Sequence, residues 1–380
     1  MTSAIRSVFT LALLLCSLPA LSQEKKAPEP LGIALEGYAY PAPVQFLPLT
    51  IQGQDVRMAY MDVPPSGKAN GRTVVLFHGK NFFGAYWRDT IRALGQAGYR
   101  VVVPDQLGFG KSSKPAIDYS FHLLATQTKR VLEKLGVSKA AIVGHSMGGM
   151  LATRFALLFP ETTTHLILEN PIGLEDYRVL VPWRSTEELY KGQLDTTEES
   201  VRKYQKTYYV TWRPEYEEYV QVIYRQTLGG EYPRLAWVSA ATEQMIYQQP
   251  VVHEFPQVTA PVLLVIGQAD RTTIGRARVS PEALTKLGQY PELGRRAAKR
   301  FPRATLVEIP NVGHIPHFEA PRSGTRRCSG SSASEGMVAQ APPSVTPGSA
   351  FTSMPSRSSS ALSALLARVA TGLSYQPGSP

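Results

Sequence analysis

Cysteine is nearly absent from this 380-residue chain: Cys16 and Cys328 are the only two. Neither falls between residues 23 and 321, so that stretch holds no disulfide and must rely on its apolar core. No run of roughly 18 consecutive apolar residues occurs, which argues against a membrane-spanning helix. Histidine is sparse as well, seven in all. No His/Cys cluster has metal-ligand spacing, so neither a metal nor another cofactor is expected. A dense basic stripe is also missing, despite a formal charge of +10. Residues 322–380 hold five Arg and one Glu, and Arg6 stands near the start. Setting these aside leaves 34 basic and 29 acidic residues, a net of +5 scattered along the chain. Solvated faces account for that pattern, and no nucleic-acid partner is expected.

What is present describes a globular protein: 43% apolar, 9% aromatic and 18% charged residues, enough for a sizeable core. Residues 1–22 read as an export signal. Arg6 supplies the positive start, residues 8–15 the short apolar stretch, and Ala20-Leu21-Ser22 the small residues before a polar Gln23-Glu24-Lys25-Lys26. Leu15 is bulkier than lipoprotein processing at Cys16 usually accepts. Cleavage after Ser22 is expected, with a periplasmic or secreted product; the competing reading is a buried N-terminal helix.

Apolar runs of strand length recur at 44–51, 56–63, 73–78, 100–104, 139–144, 165–169, 261–267 and 304–310. The first two suit an antiparallel pair. The last six contain near-continuous Val, Ile and Leu, as parallel strands covered on both faces require. Helical periodicity at 121–135, 150–159 and 281–300 separates several of them. The alternation implies an α/β fold: one doubly wound, mostly parallel eight-stranded sheet. Residues 172–259 break the rhythm, with helical patterns at 183–193, 198–208, 214–226 and 235–248. A structureless loop of that length is rare, so an inserted helical lid is expected, with the core at 23–171 and 260–321. The insert is dense in Tyr and Trp, including Tyr208, Tyr209, Trp212, Tyr216 and Tyr219. Such rings pack small helices together, and as a set some would line a cavity.

The chemistry centres on Gly144-His145-Ser146-Met147-Gly148, which follows an apolar run and precedes a helix. A Gly-x-Ser-x-Gly pattern between strand and helix makes a sharp turn that exposes the serine hydroxyl above the sheet. A hydroxyl is a weak nucleophile and needs a base, and the base needs an orienting acid. His314 lies in the loop after the final strand and Asp270 just after the strand near 262–266. His317 is the rival base, and Glu175 or Asp176 the rival acid. The oxyanion of a tetrahedral intermediate needs two donors. The N–H of Met147 suits one, and that of Lys80, or else Asn81, in the loop His78-Gly79-Lys80-Asn81 suits the other. The Lys80 side chain is expected in solvent. Phe82, Phe83, Trp87 and His145 are expected to border the substrate. Gly108-Phe109-Gly110-Lys111-Ser112 hints at a phosphate loop, but Asp105 stands where that pattern needs glycine.

Together these motifs, spread over residues 45–321, resemble the α/β-hydrolase superfamily. The segment Asp105 to Ser113 is similar to the glycine-rich loop after its fourth strand. The resemblance implies a serine hydrolase, and the helical insert resembles the lid of the branch containing small-molecule esterases and carbon–carbon bond hydrolases. Ser146 argues against epoxide hydrolases and haloalkane dehalogenases, which carry Asp at this turn. The first expectation is therefore cleavage of small to medium, moderately apolar carboxylic esters. The alternatives are carbon–carbon hydrolysis of diketone-like substrates and a non-catalytic binding protein on the same fold.

The family usually follows the catalytic His with a turn and an amphipathic helix. This chain keeps His314 to Pro321 and then changes character, with 15 serines in residues 322–380. That composition is expected of a disordered tail. A shifted reading frame would produce it: with GC-rich codons, another frame over 322–337 can be written as a helix-compatible sequence.

Overall fold

The computed structural model describes residues 27–320. The expected export signal and the expected tail at 322–380 lie outside them.

Eight strands form one sheet: β1 (Val44–Ile51), β2 (Gln54–Val63), β3 (Thr73–Phe77), β4 (Arg100–Pro104), β5 (Ala140–His145), β6 (Thr163–Glu169), β7 (Val262–Gly267) and β8 (Ala304–Ile309). Their spatial order is β1-β2-β4-β3-β5-β6-β7-β8. β1 pairs antiparallel with β2, and β2 antiparallel with β4; every later pairing is parallel. Gln52 and Gly53 join β1 to β2, and both have positive φ (47° and 77°), as the tightest hairpin turn requires. Every residue of β5 and β7 is buried, whereas β1 and β8 at the two edges stay partly exposed. Continuous apolar runs therefore mark the strands covered on both faces.

Helices α1 (Arg88–Gln96), α2 (Phe121–Lys134) and α3 (Met147–Leu158) lie between the early strands. Ser120 caps α2 by accepting from the Leu123 N–H at 3.0 Å. Between β6 and β7 come α4 (Thr186–Leu194), α5 (Glu198–Lys206), α6 (Glu217–Thr227) and α7 (Tyr232–Gln248). Ser185 and Glu188 form a reciprocal capping box on α4. Pro214 opens a 3₁₀ turn that leads into α6, where its missing N–H removes nothing. The aromatic rings of this segment pack on one another, as Tyr209 does on Tyr216 with centroids 3.9 Å apart, and on Phe82, His314 and Phe318 of the core.

The single helix expected over 281–300 is two: α8 (Pro281–Leu284) and α9 (Tyr290–Arg300). Gly288 between them has φ +64°, and a Cβ there would meet the Arg271 carbonyl oxygen at 2.8 Å. Pro291 then sits in the first turn of α9. A last short turn, α10 (Pro316–Glu319), follows β8. Among the described residues, no helix is long and apolar enough to cross a membrane.

Candidate active site

Strand β5 ends at His145 and α3 begins at Met147, so Ser146 alone makes the turn, with φ 55° and ψ −123°. That backbone is strained for a residue with a side chain, and neighbours must force it. The two flanking glycines let them. A Cβ on Gly144 would stand 2.1 Å from the Gly148 oxygen, and one on Gly148 2.3 Å from the Phe77 oxygen. β3, the turn and α3 therefore close to a distance that alanine would forbid. Met147 opens α3, where N–H groups have no intrahelical acceptor.

Two loops at the same edge of the sheet complete the arrangement. The Ser146 hydroxyl lies 2.9 Å from His314 Nε2, and His314 Nδ1 lies 2.7 Å from Asp270 Oδ2. A carboxylate can only accept, so His314 carries its proton on Nδ1 and offers Nε2 to the hydroxyl. Both His314 and Asp270 are buried. Burial pushes the Asp270 carboxyl up, but the His314 charge and hydrogen bonds from His314, Asn170 and Thr272 outweigh it, so its pKa lies below the ordinary value. The three residues singled out in sequence thus meet, from loops 168 and 44 positions apart.

The rivals lie elsewhere. His317 Nδ1 donates to buried Glu169 at 3.0 Å, and its ring stacks on Trp87. Asp176 pairs with Arg178 and His253, and Glu175 accepts from the Gly288 N–H.

The loop after β3 sits against the turn: a Cβ on Gly79 would meet Ser146 Cβ at 3.1 Å. Its position is fixed by a chain of hydrogen bonds. The Gly79 N–H donates to Tyr86 Oη at 3.2 Å, and Tyr86 Oη lies 3.0 Å from His145 Nδ1. His145 Nε2 lies 2.8 Å from the His314 carbonyl oxygen. Carbonyls only accept, so His145 is protonated on Nε2 and Tyr86 donates to Nδ1. Burial, with the charges of His314 and His317, holds His145 well below its ordinary pKa, consistent with a fixed neutral ring. Among the described residues, no acceptor pairs with the N–H of Lys80 or Asn81.

Several placements differ from the sequence expectation. The Lys80 side chain is not in solvent: it is half-buried, and Nζ donates to Ser239 Oγ on α7 at 2.9 Å. Phe82 and Phe83 do line a cavity of about 120 Å³ beside this loop, together with Lys80, Asn81 and residues of α6 and α7. Trp87 and His145 do not; both are fully buried, packed behind the turn and hydrogen-bonding or stacking with the protein itself. Both support the turn from behind.

Three contributors gave no local signal. Asn170, at the end of β6 with φ 35°, donates to Asp270 Oδ2 at 2.7 Å and accepts from the Gly267 N–H at 2.8 Å. Tyr208 stacks on the His314 ring at 4.8 Å, and its carbonyl accepts from the His314 N–H at 2.7 Å. Glu319 accepts from the N–H groups of Gly313 and Val210, at 2.7 and 2.8 Å.

The chain is similar to known proteins. Residues 72–321 match the family described as alpha/beta hydrolase fold. A solved structure of a probable hydrolytic enzyme from Pseudomonas aeruginosa PAO1 is 49% identical, covers 77% of this chain and 95% of its own, and superposes with a TM-score of 0.76. A 2-hydroxy-6-oxo-6-phenylhexa-2,4-dienoate hydrolase from Burkholderia cepacia is 41% identical over 108 residues, which span 27% of this chain and only 38% of that relative. A 2-hydroxy-6-oxononadienedioate/2-hydroxy-6-oxononatrienedioate hydrolase from Paraburkholderia phymatum is 30% identical over 224 residues, 58% of this chain and 76% of its own length. On the family match and these relatives, the chain belongs to the alpha/beta hydrolase fold family.

Proposed function

We propose that this protein is a serine hydrolase that cleaves carboxylic esters through an acyl-enzyme. The observation that carries the reading is the unbroken line Ser146 Oγ, His314 Nε2, His314 Nδ1, Asp270 Oδ2, with links of 2.9 and 2.7 Å. His314 takes the Ser146 proton as the hydroxyl attacks the carbonyl carbon. Asp270 holds the tautomer and offsets the imidazolium charge. The oxyanion accepts from the N–H of Met147 and from that of Lys80 or Asn81. His314 then gives its proton to the leaving alkoxide, and water releases the acyl group by the same route. The segment carrying α4 to α7 acts as a lid, since Tyr208 lies on the base and α7 on the loop beside the nucleophile.

The test uses p-nitrophenyl esters of increasing acyl length with wild type and Ser146→Ala. Turnover by wild type and a loss of at least about 10³-fold in the variant are expected, with a fluorophosphonate labelling Ser146. No turnover of any ester and no label at Ser146 would defeat the reading. A second reading, carbon–carbon hydrolysis with the same three residues, is favoured by the names of the Burkholderia and Paraburkholderia relatives. Cleavage of a vinylogous diketone without ester turnover would select it.

A further inference from the structure

The cavity beside Gly79 has a charge imbalance. Two lysines, Lys80 and Lys114, belong to its wall, and no Asp or Glu does. The remainder mixes apolar side chains (Phe82, Phe83, Ile223 and Leu235 among others) with neutral polar ones, among them Asn81, Gln193, Gln226, Ser239 and Thr242. A cation withdrawn from water normally finds a carboxylate. Among the described residues, Lys80 has none within ion-pairing distance; its Nζ is held only by the Ser239 hydroxyl, which itself lies 3.2 Å from Gln193 Oε1. The acids that could serve are committed elsewhere. Glu243 pairs with Arg278 at 2.7 Å. Asp105 accepts from Tyr40 Oη and from the N–H groups of Gly84 and Lys111. Lys114 is satisfied differently, its Nζ donating to the carbonyls of Gly110 and Ser112. Lys80 is thus the cation of the cavity without an anion; it follows Gly79, where an added Cβ would meet Ser146 Cβ at 3.1 Å, although Ser146 and His314 themselves are not in the cavity wall.

We propose that Lys80, with Ser239, forms an anion subsite that selects substrates carrying a carboxylate on a short, otherwise apolar group. The inference rests on the hydrolase reading for its kinetics but not for its binding. The lysine stem and the phenylalanines cover the apolar part, while the ammonium and the Ser239 hydroxyl receive the carboxylate. Burial holds the Lys80 amine below its ordinary pKa, with Glu243 opposing, and an anion at the ammonium would offset that burial cost.

The experiment compares 4-nitrophenyl hydrogen glutarate with its methyl ester, which differs in charge at nearly equal shape. Wild type should show a kcat/KM ratio of acid over methyl ester of about 10 or more. Lys80→Met should bring the ratio close to one, and Lys80→Arg should keep most of the preference. The ratio divides out any disturbance that the substitution passes to the Lys80 N–H. A wild-type preference for the methyl ester, or a ratio that survives Lys80→Met, overturns the subsite. Titration calorimetry of glutarate covers the case in which neither ester is turned over. Binding weakened about tenfold or more by Lys80→Met then supports the subsite while the ester reading falls, and equal binding by both proteins overturns it.

Discussion

Asp270 is useful to His314 only if its carboxylate stays ionised and does not rotate, and Asn170 serves both needs. Its amide donates to the same Oδ2 that receives the His314 proton, while the Thr272 N–H holds Oδ1 at 2.8 Å. The Asn170 carbonyl is itself fixed by the Gly267 N–H. Asn170→Ala removes one of the bonds that keep the Asp270 pKa low and leaves the buried Gly267 N–H unpaired, a loss of about 1–3 kcal/mol. A base displaced by a fraction of an ångström loses rate steeply, on the order of 10²-fold per ångström. Asn170→Ala should therefore lower kcat about 10–100-fold with KM changed less than about threefold. Steady-state kinetics checks this, and a change confined to KM would contradict it.

At the scale of elements, the final turn α10 links two parts of the chain that meet over His314. One Glu319 oxygen accepts from Gly313, beside the base, and the other from Val210, at the end of the stretch that follows α5. Burial pushes this carboxyl up, against hydrogen bonds from Gly313, Val210 and Thr211 that pull it down. Glu319→Ala should cost about 3–6 kcal/mol by chemical denaturation, the range for two lost hydrogen bonds to a charged group. It should lower kcat more than KM, because Gly313 adjoins His314 and Val210 follows by two residues the Tyr208 carbonyl that accepts from the His314 N–H. The elements that bring the site together were largely legible in sequence, since strand runs such as Ala140–His145 and Val262–Gly267 and the glycines around Ser146 are local signals. The order Ser146, Asp270, His314 followed from them. Asn170, Tyr208 and Glu319 were not legible, because each has a partner about 100 residues away, Asp270, His314 and Val210, that only the folded chain brings near. Helix α1 went unseen too: its buried stripe is only Thr90, Ile91 and Leu94, with Gly95 near its end. The Lys80 side chain was misjudged because a surface lysine is the common case, and nothing local announces α7 above it.

The molecule as a whole should carry a pH signature from Lys114, which is 5% exposed. Burial lowers its amine from 10.5 to about 7; Asp105 and Glu36 oppose that, while Arg57 and Lys111 add to it. In the unfolded chain this lysine holds its proton up to its ordinary pKa of 10.5, whereas in the folded protein it releases it near 7. Between those values the unfolded state binds more protons, so folding becomes more favourable as pH rises. The contribution is complete above the unfolded pKa and is lost as pH falls through about 7. Thermal melts from pH 7 to roughly 9.5 stop short of the range where the buried tyrosines Tyr86, Tyr177 and Tyr290, whose pKa values are raised, would act in the opposite sense. Lys114→Met removes the titration and also the two bonds to Gly110 and Ser112, so its absolute stability says little. The slope is the decisive reading. Wild-type Tm should climb relative to the variant across this window, and parallel curves would mean that Lys114 stays charged inside the fold.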